Sequence, residues 1–223
     1  MNQRLEGLFS QTELNKLQNA NILLVGVGGV GSFCFETLIR TGIKNITIID
    51  FDTYELSNFN RQLHANINTL DHKKVDVLKK HAKNIDANIN INTYDLYLDE
   101  NSNIDFSKYD FIIDACDSIK AKIYLIKMAY QFHKKIICSL GVGNRLNPLM
   151  LDVTDLNKTY NDPLAKKLRN ELNKIDFTGN VKVVFSKELP IKKSPVASYM
   201  AVSSSAGILL ADYVIKEVVK NEN

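Results

Sequence analysis

Residues 21–62 read NILLVGVGGVGSFCFETLIRTGIKNITIIDFDTYELSNFNRQ, and the order of features in that stretch decides the fold. Ile22, Leu23, Leu24 and Val25 make an apolar run of strand length that passes straight into Gly26-Val27-Gly28-Gly29-Val30-Gly31, where no side chain is larger than valine. The pattern is strand, glycine turn, helix start. Gly26, Gly28 and Gly31 occupy the glycine positions of G-x-G-x-x-G, with Gly29 beside them. Such glycines allow a tight turn, let backbone approach a phosphate, and let the next helix pack close to the strand. The amides at that helix N-terminus face an anion. A second strand, Ile46–Ile49, ends in Asp50, about twenty residues beyond the glycines, where an acid accepts from ribose hydroxyls. The expectation is a nucleotide site, although NAD, FAD and ATP folds share the pattern and glycine-rich strand ends also arise from packing alone.

The next residues separate those nucleotides. Asp50 and Asp52 are followed by Ser57, Asn58, Asn60, Arg61 and Gln62, and then by Lys74. A nicotinamide enzyme has no need of Arg and Lys after its ribose acid, whereas a triphosphate must be gripped and polarised. ATP is the better match. The Asn- and Ser-rich loop 51–62 suits side-chain to backbone hydrogen bonds in an ordered turn that brings Arg61 over the phosphates.

Outward from this stretch, the chain alternates strands and helices. Residues 1–19 predict an arm and a short helix, capped by Ser10 or Thr12. The helix from Ser32 to Thr41 packs through Phe33, Phe35 and Leu38 and stops at Gly42. Val75, Leu78, Ala82 and Ile85 mark a helix over about 71–86. Strands are predicted at 89–94, 111–114 and 136–140, with a helix over 118–133. A second glycine turn, Gly141-Val142-Gly143, follows and shapes an acceptor pocket. Periodicity then weakens: 149–153 extended, a helix from Pro163 to Leu172, a strand at 181–185, a mobile loop at 187–194, and a helix over 199–220 whose apolar residues include Ile208, Leu209, Val214, Ile215 and Val218. The fold class is α/β, a Rossmann-like doubly wound and mainly parallel sheet with helices on both faces and a smaller irregular C-terminal extension. The chain reads as one domain: arm and helix 1–20, nucleotide-binding core 21–145, acceptor-side extension 146–223.

Asp114 and Asp117 follow the strand at 111–114, at the carboxyl edge of a parallel sheet where ligands of α/β folds bind. Asp114 is alternatively a cap for the helix beginning near Ser118.

Composition sets outer bounds. The 223 residues are 45% apolar and 24% charged, as in an ordinary globular domain. A polar N-terminus and the lack of an apolar run near about eighteen residues predict no signal peptide, no membrane span and a cytoplasmic location. Cys34, Cys116 and Cys138 include no C-x-x-C pair and read as core thiols, and His64, His72, His81 and His133 show no metal-ligand spacing, so no structural metal is predicted. Residues 118–195 carry fifteen Lys or Arg against six Asp or Glu, about +9 in a chain of net +3. That suits a polyanion such as RNA, or is a solvated lysine-rich face.

GVGGVGS, IIDFD, SNFNRQLH, Lys74 and IIDACDS together resemble the adenylating domains of ubiquitin-activating-like enzymes. Within that superfamily NPLMLDVTDLNKTYNDPLAKKLR, VKVVFSKE and AVSSSAGILLADYVI look like the tRNA threonylcarbamoyladenosine dehydratases, over essentially the whole chain. The resemblance implies ATP and Mg2+ as cofactors, with Lys74 and Arg61 on the phosphates and Asp117 as the magnesium ligand. It also implies a homodimer in which Arg4 reaches the neighbouring subunit's nucleotide, and a substrate tRNA carrying threonylcarbamoyladenosine. The rival implication is adenylation of a ubiquitin-like sulfur-carrier protein, although such enzymes commonly carry C-x-x-C pairs that this chain lacks.

Overall fold

The computed structural model describes residues 4–220. Seven strands, β1 (Asn21–Val25), β2 (Asn45–Ile49), β3 (Asn90–Tyr94), β4 (Phe111–Asp114), β5 (Lys135–Ser139), β6 (Leu151–Asp155) and β7 (Lys182–Ser186), form one sheet in the order β3-β2-β1-β4-β5-β7-β6. All neighbours are parallel except β6, which runs antiparallel to β7 at one edge. The helices are α1 (Gln11–Asn19), α2 (Gly31–Arg40), α3 (Lys74–Ile85), α4 (Ile119–Gln131), α5 (Pro163–Asn173) and α6 (Met200–Val219).

Successive side chains of a strand face opposite ways, and the central strands bury both sets. Ile22, Leu24, Ile46, Ile48, Phe111 and Ile113 join the buried residues of α1, α2, α3 and α6 on one face. Leu23, Val25, Ile49 and Ile112 join Leu125, Ala165 and Leu168 of α4 and α5 on the other. Double burial is why these strands read as continuous apolar runs rather than alternating ones. Helix starts follow local chemistry. Ser10, not Thr12, caps α1: its Oγ accepts from the Glu13 amide while Glu13 Oε2 accepts from the Ser10 amide. Gly42, at φ +106°, ends α2.

The fold class stands, and the differences lie in the C-terminal third. The extension is not irregular; it supplies β7, parallel to β5, and β6 beyond it. β6 is half-buried along its whole length, so it shows neither a continuous nor an alternating apolar pattern. On α6 the buried stripe runs through Val202, Ala206, Leu210, Ala211 and Val214, whereas Ile208 is 46% exposed. Residues 187–199 lack regular structure up to α6, yet Asn144 ties them down. Its backbone N–H donates to Ala197 O, its side chain exchanges bonds with Ala197 N and Lys193 O, and its carbonyl accepts from Ile191 N. Among the described residues no helix is long and apolar enough to cross a membrane.

Candidate active site

β1 leads on to β2 at one side while β4 lies at its other, so the strand order reverses between β1 and β4 and a crevice opens at the carboxyl ends. A cavity of about 740 Å³ occupies it, within the range of about 300–1,000 Å³ common for small-molecule sites. Its walls come from the segments after β1, β2, β4 and β5.

The turn after β1 is built as the glycine spacing predicts. Gly26 sits at φ +85°, and a Cβ there would lie 2.8 Å from Cys116 N. A Cβ on Gly31 would lie 1.8 Å from Gly26 O. Gly31 does not line the cavity; Gly26, Gly28 and Gly29 do. Asp50 lines it too, and also buckles the turn. Its Oδ2 accepts from Val27 N–H at 2.7 Å and its Oδ1 from Asp52 N–H at 2.9 Å. Burial pushes the Asp50 carboxyl up, against the opposing pull of the Lys74 charge and the two amides.

Two cations share this wall. Arg61 crosses Gly29, its Cγ 3.2 Å from where a Cβ would be. Its guanidinium donates to Ser57 O at 2.7 Å and Asn60 Oδ1 at 2.9 Å. Lys74, the buried first residue of α3, lines the cavity with Nζ 2.7 Å from Asp52 Oδ2. Lys73 turns outward to Asp95 and Phe51 O. Ser57 and Asn60 do not line the cavity; they hold Arg61, and Asn60 also donates to Ser198 O. Asn58 is buried, accepts from Glu55 N–H, and borders an adjoining cleft with Arg61 and Lys74. Within this capped 3-10 turn Ser57 O and Asn60 Oδ1 hold the Arg61 guanidinium and Asn58 O accepts from the Arg61 amide.

The two carboxylates after β4 have different fates. Asp117 is exposed, lines the cavity, and has no hydrogen bond or ion pair among the described residues. Asp114 is fully buried and does not cap α4; Ser118 does, its Oγ accepting from Ala121 N–H. Asp114 Oδ2 instead meets Lys122 Nζ at 3.0 Å, and its Oδ1 accepts from the Cys116 amide and thiol. Lys122 is equally buried and also donates to Ser139 O at 2.7 Å. Burial opposes the Lys122 charge, but Asp114 outweighs it and holds the ammonium above its ordinary pKa. Burial and the Asp114 charge push the Cys116 thiol well up. Arg4 is exposed and lies outside this cavity.

Further residues complete the site. Gln62 lines the cavity with a buried Oε1 that no donor meets. Phe51 and Tyr97 pair edge to face at 5.3 Å, and Tyr97 OH bonds Ser118 Oγ at 2.7 Å. Leu164, Val196, Ser198 and Ser203 complete the wall beside Gly141 and Gly143. Arg145 pins that side: buried, it donates to the carbonyls of Gly141, Asn161 and Glu188. Asp162 caps α5 and accepts from Gly141 N–H. Lys166 and Lys167, two and three residues beyond Leu164, and Lys192 and Lys193, before Val196, are exposed and carry no ion pair among the described residues. By contrast Lys122, Lys135, Lys174, Lys182 and Lys187 are each paired with an acid.

Comparison with known proteins matches this geometry. The ThiF family model covers residues 2–221. The tRNA threonylcarbamoyladenosine dehydratase of Bacillus subtilis (strain 168) is 33% identical, over 93% of this chain and 90% of its own. Escherichia coli tRNA N6-threonylcarbamoyladenosine dehydratase solved with AMP superposes with a TM-score of 0.90 at 32% identity. Its ATP complex gives 0.88 at 31%, and each covers 97% of this chain and 94% of that one.

Proposed function

The chain belongs to the ThiF family, in company with the tRNA threonylcarbamoyladenosine dehydratases, and from that premise we propose that it uses ATP to cyclise threonylcarbamoyladenosine in tRNA. The observation that carries the reading is the convergence of the glycine turn, Arg61, Lys74 and Asp117 on one cavity at the strand-order reversal. The relatives' names supply the substrate, and the similar structure with ATP supplies the nucleotide.

The donor set fits the nucleotide. Amides of the turn and the α2 N-terminus, with Arg61 and Lys74, make a cationic cradle for phosphates. Gln62 Oε1, buried and unmet, is an acceptor awaiting a donor from a ligand. Asp117, without a partner among the described residues, offers oxygen to a hard cation. Asp117 would hold Mg2+ there, which would supply charge neutralisation on the phosphates. The threonyl carboxylate attacks the α-phosphorus and pyrophosphate leaves, replacing hydroxide by AMP as the eventual leaving group. The carbamoyl group then attacks the activated carbonyl, AMP departs, and the nucleoside has lost one water. Arg61 and Lys74 stabilise charge building on the phosphates. No thiol is needed, in keeping with a half-buried Cys116 whose pKa is pushed up by burial and the Asp114 charge.

The acceptor enters past Gly141–Gly143, and the free lysines at 166, 167, 192 and 193 meet its RNA backbone. A cytoplasmic homodimer completes the assembly, Arg4 of each subunit serving the other's nucleotide. The test is pyrophosphate exchange into ATP: it should depend on tRNA bearing threonylcarbamoyladenosine and stay flat with a ubiquitin-like carrier protein. Exchange driven by the carrier and not by the tRNA would reverse the assignment.

A further inference from the structure

Away from the cavity, three residues that sequence spacing never associates come together. His64 follows Arg61 and Gln62 on the same loop, Glu36 is on α2, and His81 is on α3; none lines the cavity. One ligand atom from each lies within 4.8 Å of the other two. His81 Nε2 stands 2.7 Å from Glu36 Oε2, and His64 Nε2 stands 3.6 Å from the same oxygen. The two imidazoles meet edge to face at 4.4 Å. Glu36 Oε1 is taken by Arg40.

A carboxylate–imidazole hydrogen bond accounts for His81 but not for His64. That ring is only 8% exposed, and neither of its nitrogens has a hydrogen-bond partner among the described residues. A buried polar group without a partner is costly and calls for one, and here Nε2 aims at Glu36 beside a second imidazole. We infer that Glu36, His64 and His81 form a divalent transition-metal site of the zinc class. Two nitrogens and one carboxylate oxygen suit Zn2+ and not Mg2+ or Ca2+, which take oxygen ligands. Tetrahedral bonds of about 2.0–2.2 Å put ligand atoms roughly 3.3 Å apart, between the 2.7 Å and 3.6 Å found here. Water fills the fourth position.

The location gives the ion a structural role. α2 starts at the glycine turn, α3 starts at Lys74, and the loop carries Arg61, so one ion ties together the three elements that present the phosphate cradle.

The test is zinc binding by the full-length protein, stripped with a chelator and titrated with Zn2+ alone by calorimetry, with Co2+ as a spectroscopic probe. One ion per chain should bind. His81→Gln, at a partly exposed position, should weaken binding by at least about 100-fold, beyond the loss typical of an outer-shell partner. Zinc should raise the unfolding temperature of the parent protein and not of that variant. His64→Gln should behave alike; if it fails to fold, His81→Gln still decides. The inference is overturned by no binding at micromolar zinc, by undiminished binding in His81→Gln, or by cobalt–thiolate absorption showing that cysteines hold the ion.

Discussion

Replacing Lys122 by Met tests the buried ion pair beneath the cavity. Lys122 and Asp114 are both fully buried, with Nζ and Oδ2 3.0 Å apart. The pair joins two turns of the site: Asp114 holds the Cys116 amide, and Lys122 holds Ser139 O ahead of Gly141. Methionine keeps the length and apolar stem but leaves Asp114 without its cation. Removing one partner of a buried pair costs about 3–5 kcal/mol. For a chain of this size each kcal/mol moves the melting temperature by roughly 2–4 °C, so the variant should melt about 6–20 °C lower. Adding Asp114→Asn removes the stranded charge while keeping an oxygen for the Cys116 amide. The double variant should therefore recover most of the loss, to within about 1–2 kcal/mol of the parent. Urea unfolding followed by far-UV circular dichroism suits a chain without tryptophan. A loss under about 1 kcal/mol for Lys122→Met, or a double variant as unstable as the two single losses added, would refute this account of the pair.

Asp117→Ala should abolish turnover and leave the melting temperature within about 2 °C of the parent, because that side chain is exposed and unpaired; a large drop in melting temperature would show it to be structural. Cys116→Ala should stay within a few fold of parent activity, since the pKa of the thiol is raised by burial and by Asp114. For the same reason the thiolate fraction of Cys116 should stay below that of a free cysteine from pH 7 to 9, and native-state alkylation read by mass spectrometry should be slow throughout. Mixing Arg4→Ala subunits with Asp117→Ala subunits should restore one working site per heterodimer; absence of recovery with proven subunit exchange would place Arg4 outside the neighbour's site.

What could be read from sequence tracks what is local. The strand–turn–helix at 21–40 and the acid at Asp50 are legible because their chemistry is contiguous, and the structure shows why Gly26 and Gly31 are needed. Asp114 was open between ligand and cap because its actual partner, Lys122, lies a helix turn into α4 and gives no signal of its burial. Arg145, Asp162 and Asn144 hold the Gly141–Gly143 side of the cavity in place through bonds to carbonyls and amides far along the chain, which no spacing announces. β6 gives an indistinct pattern because it is half-buried at an edge, and the buried face of α6 takes in the small residues Ala206 and Gly207 as well as Val214 and Ile215. There the lack of a side chain at Gly207 admits α2: a Cβ on Gly207 would lie 2.2 Å from Val30 O. Glu36, His64 and His81 come from two helices and a loop, so only folding brings them together.

The most direct test of the central claim is mass spectrometry of nucleosides from tRNA carrying threonylcarbamoyladenosine after incubation with the protein, ATP and Mg2+. The account predicts a nucleoside lighter by one water, with AMP and pyrophosphate formed in equal amounts. Unaltered nucleoside under conditions where ATP is bound would contradict it.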